Sequence, residues 1–279
     1  MEIQARAKIN WTLNVTGKRQ DGYHLLDMLM QPIALHDTLY IEEADTLSLT
    51  IDGLDGLSTG EDNLALRAAR VLQTLCGISR GAKMHLIKRV PMGAGLGGGS
   101  ADAAAALKGL NKLWRIGLDL PALCRLGERL GADIPFCLHD APRRVQGIGE
   151  ILTPMESGAF PMILLQPCAA LSTKEVFTAY QASHSIQPPD NEKAMEALRA
   201  GDLKSLRQYG GNVLESASIP LRPQIAAAKE ALYRSGAAFA QMTGSGSVVF
   251  GAYETEAQAQ RAYDALKTVY SPCILTETA

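Results

Sequence analysis

The chain has 279 residues, 47% of them hydrophobic and only 5% aromatic, so it is long enough for two domains with buried cores. Its 27 basic and 29 acidic residues leave a net charge of −2, which excludes a general electrostatic attraction to nucleic acid or to an anionic membrane. No stretch approaches the roughly 18 apolar residues of a membrane span, and residues 1–8 lack the apolar core of a signal peptide. The five cysteines are scattered and odd in number, which indicates free thiols. We therefore expect a cytoplasmic protein.

Strands and helices are predicted in mixed order along the chain. The first strand, residues 7–15, alternates between an apolar side and a polar side that carries Lys8 and Asn10, as a half-buried strand does. Further strands are predicted at residues 38–42, 46–51, 83–90, 160–167, 238–242, 248–253 and 273–276, and helices at 63–75, 100–114, 121–130, 173–181, 192–199, 223–234 and 256–269. Asp62 is placed to cap the first helix. This order predicts an α+β fold with two domains, residues 1–155 and 156–279.

The most informative segment is a glycine cluster at the junction of a predicted strand and a predicted helix. Five glycines lie within the seven residues 93–99. Glycines allow backbone N–H groups to approach an anion without obstruction by Cβ, and the N-terminus of the following helix adds unpaired donors and a positive dipole end. A flexible turn would not require five glycines beside a helix start, so the segment predicts a polyphosphate-binding loop.

Three well-known nucleotide loops do not account for this cluster. The chain contains no GxxxxGK run followed by Ser or Thr, which excludes a Walker loop. Gly93, Gly95 and Gly98 satisfy GxGxxG, and Asp119 lies near the spacing of a ribose-binding acid, but the next predicted element is a helix where a dinucleotide fold needs a strand. Protein-kinase HRD and DFG motifs are absent.

The run PMGAGLGGGSADAA, which begins at Pro91, resembles the phosphate-binding signature of the GHMP kinases, the family of galactokinase, homoserine kinase and mevalonate kinase. A strand bearing Lys8 precedes it and a second glycine loop, MTGSGS at residues 242–247, follows it in the order that this family shows. Three further runs, at residues 7–24, 131–136 and 147–154, are similar to one branch of the family in particular. The resemblance extends over nearly the whole chain.

The resemblance implies a two-domain GHMP kinase fold, with an N-terminal S5-domain-2-like domain that binds ATP and a C-terminal ferredoxin-like α/β domain. It implies a kinase that uses ATP and Mg²⁺, and for this branch it implies phosphorylation of the 2-hydroxyl of 4-diphosphocytidyl-2-C-methyl-D-erythritol, a cytidine diphosphate derivative of non-mevalonate isoprenoid biosynthesis. Two alternatives are another GHMP kinase, acting on a sugar, homoserine or mevalonate, and a non-catalytic nucleotide-binding protein. The presence of both Lys8 and Asp133 argues against the second.

The catalytic pair implied by the resemblance is Lys8 and Asp133. Phosphoryl transfer to an alcohol requires a group that accepts the hydroxyl proton and positive charge that stabilises the phosphoryl oxygens. Asp133 fits the first role, and Pro135 restricts the backbone beside it. Lys8 fits the second role. The alternative for Asp133 is to cap the helix that follows it.

The implied ATP-binding residues are the glycine loop and one residue upstream of it. The set is Pro91, Met92, Gly93, Ala94, Gly95, Leu96, Gly97, Gly98, Gly99, Ser100, Ala101 and Asn63. Asn63 resembles a family residue near the adenine, and its alternative role is to start a helix. The Mg²⁺ ligands and the oligomeric state are left open.

The implied substrate-binding residues are Asn10, Tyr23, His24 and Phe177. Tyr23 and Phe177 are expected to stack on the two faces of the cytosine, while His24 hydrogen-bonds its edge. The alternatives are a surface turn for Tyr23 and an apolar helix face for Phe177. Asn10 lies on the Lys8 side of its strand and is expected to contact the acceptor or the cytosine.

One segment departs from the family pattern. Residues 139–144, with the sequence HDAPRR, stand where a small glycine-containing segment is usual. Arg143 and Arg144 are expected to lie in a solvated basic turn, and the alternative is that they neutralise a diphosphate.

Overall fold

The computed structural model describes residues 1–54, 56–180 and 187–279. Contacts divide the chain into two compact units. Unit 1 comprises residues 1–8, 35–91 and 97–141, and unit 2 comprises residues 9–34, 92–96 and 142–279. The predicted domains, residues 1–155 and 156–279, are consecutive segments, whereas these two units alternate along the chain. The domain boundary at residue 155 therefore stays a prediction.

Two long strands, β1 (Glu2–Lys18) and β2 (His24–Ala44), open the fold. Both are much longer than predicted. The ends of β1 are polar and carry no apolar alternation, whereas the unpredicted residues 24–37 of β2 are largely apolar and lack a strict period of two. The prediction of a half-buried first strand is wrong. Lys8, Asn10 and Thr12, on its polar side, are at most 4% exposed, so both sides of β1 are covered at this point.

Unit 1 packs helices on one face of a sheet. Its remaining elements are β3 (Leu47–Asp52), α1 (Leu64–Cys76), β4 (Gly81–Ile87), α2 (Gly98–Leu113), α3 (Leu120–Glu128) and α4 (Ile134–His139). β4 lies between β2, with which it pairs antiparallel, and β3, with which it pairs parallel. The alanine-rich α2 packs closely on the sheet. A Cβ at Gly109 would lie 2.3 Å from Ile3 Cδ1 and 2.4 Å from Ile41 Cδ1, so a larger residue there would require both side chains to move.

The start of α1 differs from the sequence prediction by one residue. Asn63, and not Asp62, is the N-cap, since its Oδ1 accepts a hydrogen bond from Ala65 N at 2.9 Å. The helix ends at Gly77, whose φ of 62° lies in the left-handed region that favours glycine.

Unit 2 contains the second sheet and most of the later helices. Its elements are β5 (Arg143–Gly147), β6 (Ile151–Pro154), β7 (Pro161–Leu165), α5 (Thr173–Ala179), α6 (Asn191–Ala200), α7 (Leu203–Tyr209), β8 (Gly211–Asn212), α8 (Glu215–Leu221), α9 (Gln224–Arg234), β9 (Phe239–Met242), β10 (Val249–Ala252), α10 (Glu256–Leu266) and β11 (Cys273–Glu277). The order β11-β7-β10-β9 is antiparallel throughout. Trp11 packs edge-on against Phe160 and Phe250, each with ring centroids 5.4 Å away. Gln181, the last residue of a predicted helix, lies outside the described residues.

The prediction of a basic turn near Arg144 is wrong. Arg144 lies on β5, where its guanidinium donates to both carboxylate oxygens of Asp27, at 2.9 and 2.8 Å, and to Glu192 at 2.6 Å. Its charge is therefore matched by carboxylates of the protein itself.

Two sheets with helices packed on them confirm the α+β class. Over the described ranges, no helix combines the length and the apolar character that crossing a bilayer requires.

Candidate active site

The two predicted catalytic residues are neighbours in unit 1. Lys8 Nζ lies 3.7 Å from Asp133 Oδ2. The Lys8 side chain is 5% exposed and the Asp133 side chain 36% exposed. The strand alternation of β1 brings Lys8 to this position, and Asp133 immediately precedes α4. A buried ammonium thus stands beside a carboxylate that solvent, and therefore a bound hydroxyl, can reach.

The Asp133 side chain does not cap α4. Its backbone is helical, with φ −83° and ψ −12°, and its carboxylate makes no capping hydrogen bond. Its backbone oxygen accepts a hydrogen bond from Cys137 N at 3.1 Å. The alternative role of Asp133 as the side-chain cap of α4 is therefore wrong, and the carboxylate is not needed to start the helix.

Gly97 is required by the chain's own geometry. Its φ is 71°, and a Cβ at this position would lie 3.1 Å from Lys8 Cγ and 3.2 Å from Lys8 Cε. Helix α2 begins at the next residue, Gly98, with neither a side-chain cap nor an acidic residue in its first turn. The positive end of α2 therefore meets no compensating side chain within that turn, an arrangement that suits a bound phosphate.

Two other glycines of the loop serve packing within unit 2. A Cβ at Gly93 would lie 2.6 Å from Ala170 Cβ, and a Cβ at Gly95 would lie 2.1 Å from Thr243 O. Ala94 and Leu96 are buried, whereas Met92 is exposed. At these two positions the obstacle to a side chain is the protein itself, and the contact of Gly93 and Gly95 with ATP stays a prediction.

Asn10 lies against the second glycine loop, also in unit 2. Its Oδ1 accepts hydrogen bonds from Gly244 N at 3.0 Å and from Thr243 Oγ1 at 3.2 Å, and the residue is 1% exposed. Asn212 supports the same loop by donating to Met242 O and Gly244 O, both at 2.8 Å. Sequence reasoning missed Asn212, because nothing in its local sequence distinguishes it from a turn residue. The contact of Asn10 with substrate stays a prediction.

The structure brings His24 and Phe177 together. Their rings stack with centroids 4.8 Å apart and planes at 27°. Burial, with a smaller contribution from the positive charge of Lys18, lowers the pKa of His24 below its usual 6.5. The imidazole is therefore neutral at pH 7, where one ring nitrogen donates and the other accepts a hydrogen bond.

Tyr23 projects from a tight turn and is 62% exposed. Arg19 N donates to Tyr23 O at 2.7 Å, Asp21 Oδ1 accepts from Tyr23 N at 3.2 Å, and Gly22 between them has φ 92°. Among the close ring pairs of the described residues, Tyr23 takes part in none. Its ring is accessible to a ligand.

Asn63 serves as a helix start in unit 1. In addition to capping α1, it donates through Nδ2 to Ser58 O at 2.9 Å. Both ends of its amide are thus used locally, and contact with adenine stays a prediction.

No ready-made metal cage is found. Within the described part of the chain, no group of three or more His, Cys, Asp or Glu side chains is arranged to hold a metal ion.

Comparison with known proteins gives consistent matches. The model of the GHMP kinases N terminal domain matches residues 63–141, and that of the GHMP kinases C terminal domain matches residues 194–272. The chain is 39% identical to 4-diphosphocytidyl-2-C-methyl-D-erythritol kinase of Alkaliphilus metalliredigens (strain QYMF), over 100% of this chain and 96% of that protein. It is 40% identical to the protein of the same name from Bacillus pumilus (strain SAFR-032), over 95% of this chain and 92% of that one. A crystal structure of 4-(cytidine 5'-diphospho)-2C-methyl-D-erythritol kinase superposes with a TM-score of 0.87 at 33% identity, covering 100% of this chain and 99% of the other.

Proposed function

Because the chain belongs to the GHMP kinase family and is an ATP-dependent phosphotransferase, we propose that its acceptor is the 2-hydroxyl of 4-diphosphocytidyl-2-C-methyl-D-erythritol. The products are the 2-phosphorylated acceptor and ADP, formed as a step of non-mevalonate isoprenoid biosynthesis. The observation that carries the chemistry is the pair of a buried Lys8 ammonium and an accessible Asp133 carboxylate.

Asp133 accepts the proton of the acceptor hydroxyl. As the hydroxyl oxygen forms its bond to the γ-phosphorus, the bond between that phosphorus and the β–γ bridging oxygen breaks, and ADP leaves with the electron pair. A carboxylate that caps no helix and is about a third exposed is available for this task. Lys8 lies 3.7 Å away and supplies fixed positive charge for the oxygen atoms that become negative during transfer.

The first turn of α2 and Gly97 hold the phosphates of ATP. The uncapped helix N-terminus provides donors and a positive dipole end, and the left-handed Gly97 admits both the backbone turn and the Lys8 side chain. Mg²⁺ that accompanies ATP would neutralise part of the charge on the phosphates.

The cytidine end is recognised by His24, Phe177 and Tyr23. Since His24 already covers one face of the Phe177 ring, the cytosine stacks on the other face, and Tyr23 closes over it from its exposed turn. In this arrangement His24 lies behind Phe177 and supports that ring, so a hydrogen bond from His24 to the base edge, expected from the sequence, would require the imidazole to leave the stack. Tyr23 and Phe177 thus enclose the cytosine, as the sequence predicts, and His24 supports the Phe177 ring from its other face.

An acceptor panel tests this proposal. ADP release from ATP is measured with 4-diphosphocytidyl-2-C-methyl-D-erythritol, with homoserine, with mevalonate and with a sugar, using Asp133→Asn as the blank. We expect turnover with the cytidine diphosphate derivative alone. Comparable turnover with one of the other three acceptors would assign the chain to another activity within the family.

A further inference from the structure

Unit 1 contains a buried charge cluster that the catalytic pair does not include. Lys88 follows β4, and its Nζ donates to Asp37 Oδ2 on β2 and, at 2.6 Å, to Asp102 Oδ2 on α2. The three residues are 5%, 0% and 4% exposed, respectively. We call them the β4–α2 clamp, because they join the end of that strand to the start of that helix.

The clamp touches both ends of the glycine loop. Asp37 Oδ1 accepts hydrogen bonds from Arg89 N at 2.5 Å and from Val90 N at 2.8 Å, immediately before the loop begins. Asp102 lies in the second turn of α2, immediately after the loop. The Lys88 ammonium is close to the first turn as well, since a Cβ at Gly98 would lie 3.5 Å from Lys88 Nζ.

The contribution of the clamp to the stability of the fold does not by itself explain its charged residues. Two carboxylates share one ammonium, and Asp102 Oδ1 has no hydrogen-bond partner among the described residues. Burial raises the pKa of Asp102 to about 7; the positive charge of Lys88 opposes this shift, and the negative charge of Asp37 adds to it. Apolar side chains of similar volume usually stabilise a protein core at least as well as such a buried ion pair, whereas charged hydrogen bonds fix geometry.

We infer that the β4–α2 clamp positions the first turn of α2 for the phosphates of ATP, and that Asp102 is a positioning residue for nucleotide binding although it is itself buried away from solvent. The inference rests on the proposed placement of the phosphates at Gly97 and the α2 N-terminus. Three residues outside the loop, Asp37, Lys88 and Asp102, thereby contribute to ATP affinity, whereas acceptor binding does not depend on them.

Equilibrium titration of the full chain with ATP and Mg²⁺, without acceptor, tests the inference. Asp102→Ala removes one of the two anchors of Lys88, and we expect the Kd for ATP to rise roughly 10-fold or more. Asp102→Asn retains an oxygen that can accept from Lys88, so it should restore most of the affinity. In turnover, the Asp102→Ala defect should lie in the KM for ATP, with kcat and the acceptor KM nearly unchanged.

A matched control separates positioning from general loss of stability. Leu110 is fully buried two turns further along α2, so Leu110→Ala should lower the melting temperature and leave ATP affinity unchanged. Should Asp102→Ala fail to fold, Asp102→Ser, which is too short to reach Lys88 but leaves a hydroxyl in the polar cluster, takes its place with the same expected result. ATP affinity equal to wild type in a folded Asp102→Ala or Asp102→Ser chain would overturn the inference alone. Absence of ATP binding by the wild-type chain would overturn the phosphate placement and the inference together.

Discussion

Replacement of Asp133 by asparagine separates the catalytic role of this residue from any structural one. The substitution keeps the shape of the side chain and removes its charge and its ability to accept a proton. Because the carboxylate caps no helix, and because its ion pair with Lys8 is partly exposed, the expected loss of stability is about 1 kcal/mol or less. Loss of the general base should lower kcat by roughly 10²- to 10⁴-fold, which is about 3 to 5 kcal/mol of activation free energy.

The assay follows ADP release with 4-diphosphocytidyl-2-C-methyl-D-erythritol at saturating ATP, beside the Kd for ATP and the melting temperature of each variant. Asp140→Asn is the matched control at the other end of α4. Asp140 pairs with Arg6 at 3.0 Å, and its φ of 51° is one that asparagine adopts readily. We expect normal kcat in the control. Turnover of Asp133→Asn within a few-fold of the wild-type chain would refute the assignment of the base.

Three further predictions follow from the geometry. Gly97→Val places a branched side chain at a left-handed residue and against Lys8, so ATP affinity and kcat should both fall in titration and turnover assays, and an unchanged kcat would contradict the contact. Phe177→Ala or Tyr23→Ala should raise the acceptor KM by roughly 5- to 150-fold and leave the KM for ATP unchanged, whereas equal effects on both would exclude base stacking. Since the pKa of Asp102 is raised from 3.8 to about 7, the folded state holds its proton more tightly than the unfolded chain, and the associated stability is complete below about pH 4 and lost as the pH rises through 7. The urea midpoint of the wild-type chain relative to Asp102→Asn should therefore decrease from pH 4 to pH 8, and a constant difference would contradict the shift.

Local patterns were sufficient to predict the elements of this fold that have strong periodicity or a clear start signal. The strands of the second sheet and the helices α5, α6, α9 and α10 were placed to within a few residues, whereas α7 and α8 were not predicted. The two long strands at the N-terminus were underestimated, because much of their length is held by pairing with segments distant in sequence, as residues 26–30 of β2 are by β5. β5 was missed for the same reason, since Arg144 on that strand is held by Asp27 and Glu192 from other elements.

In the candidate site, too, residues within motifs could be predicted from the sequence, whereas residues that meet only through packing could not. Motif resemblance predicted Lys8 and Asp133 as partners, and the structure brings their charged groups within 4 Å. It gave no indication of Asp37, Lys88 and Asp102, which become a cluster only when β2, β4 and α2 pack together. The packing role of Gly95 likewise depends on Thr243, about 150 residues later, and cannot be deduced from the glycine-rich run itself.

The most direct test of the account is to identify the product formed from ATP and 4-diphosphocytidyl-2-C-methyl-D-erythritol by phosphorus NMR. We predict a single new phosphomonoester resonance, formed in equal amount to ADP. Its ³¹P–¹³C coupling should identify the carbon that bears the 2-hydroxyl as the site of phosphorylation. The resonance should be absent with Asp133→Asn over the same time. Formation of ADP without that phosphomonoester, or phosphorylation of methylerythritol lacking its cytidine diphosphate at a comparable rate, would contradict the account.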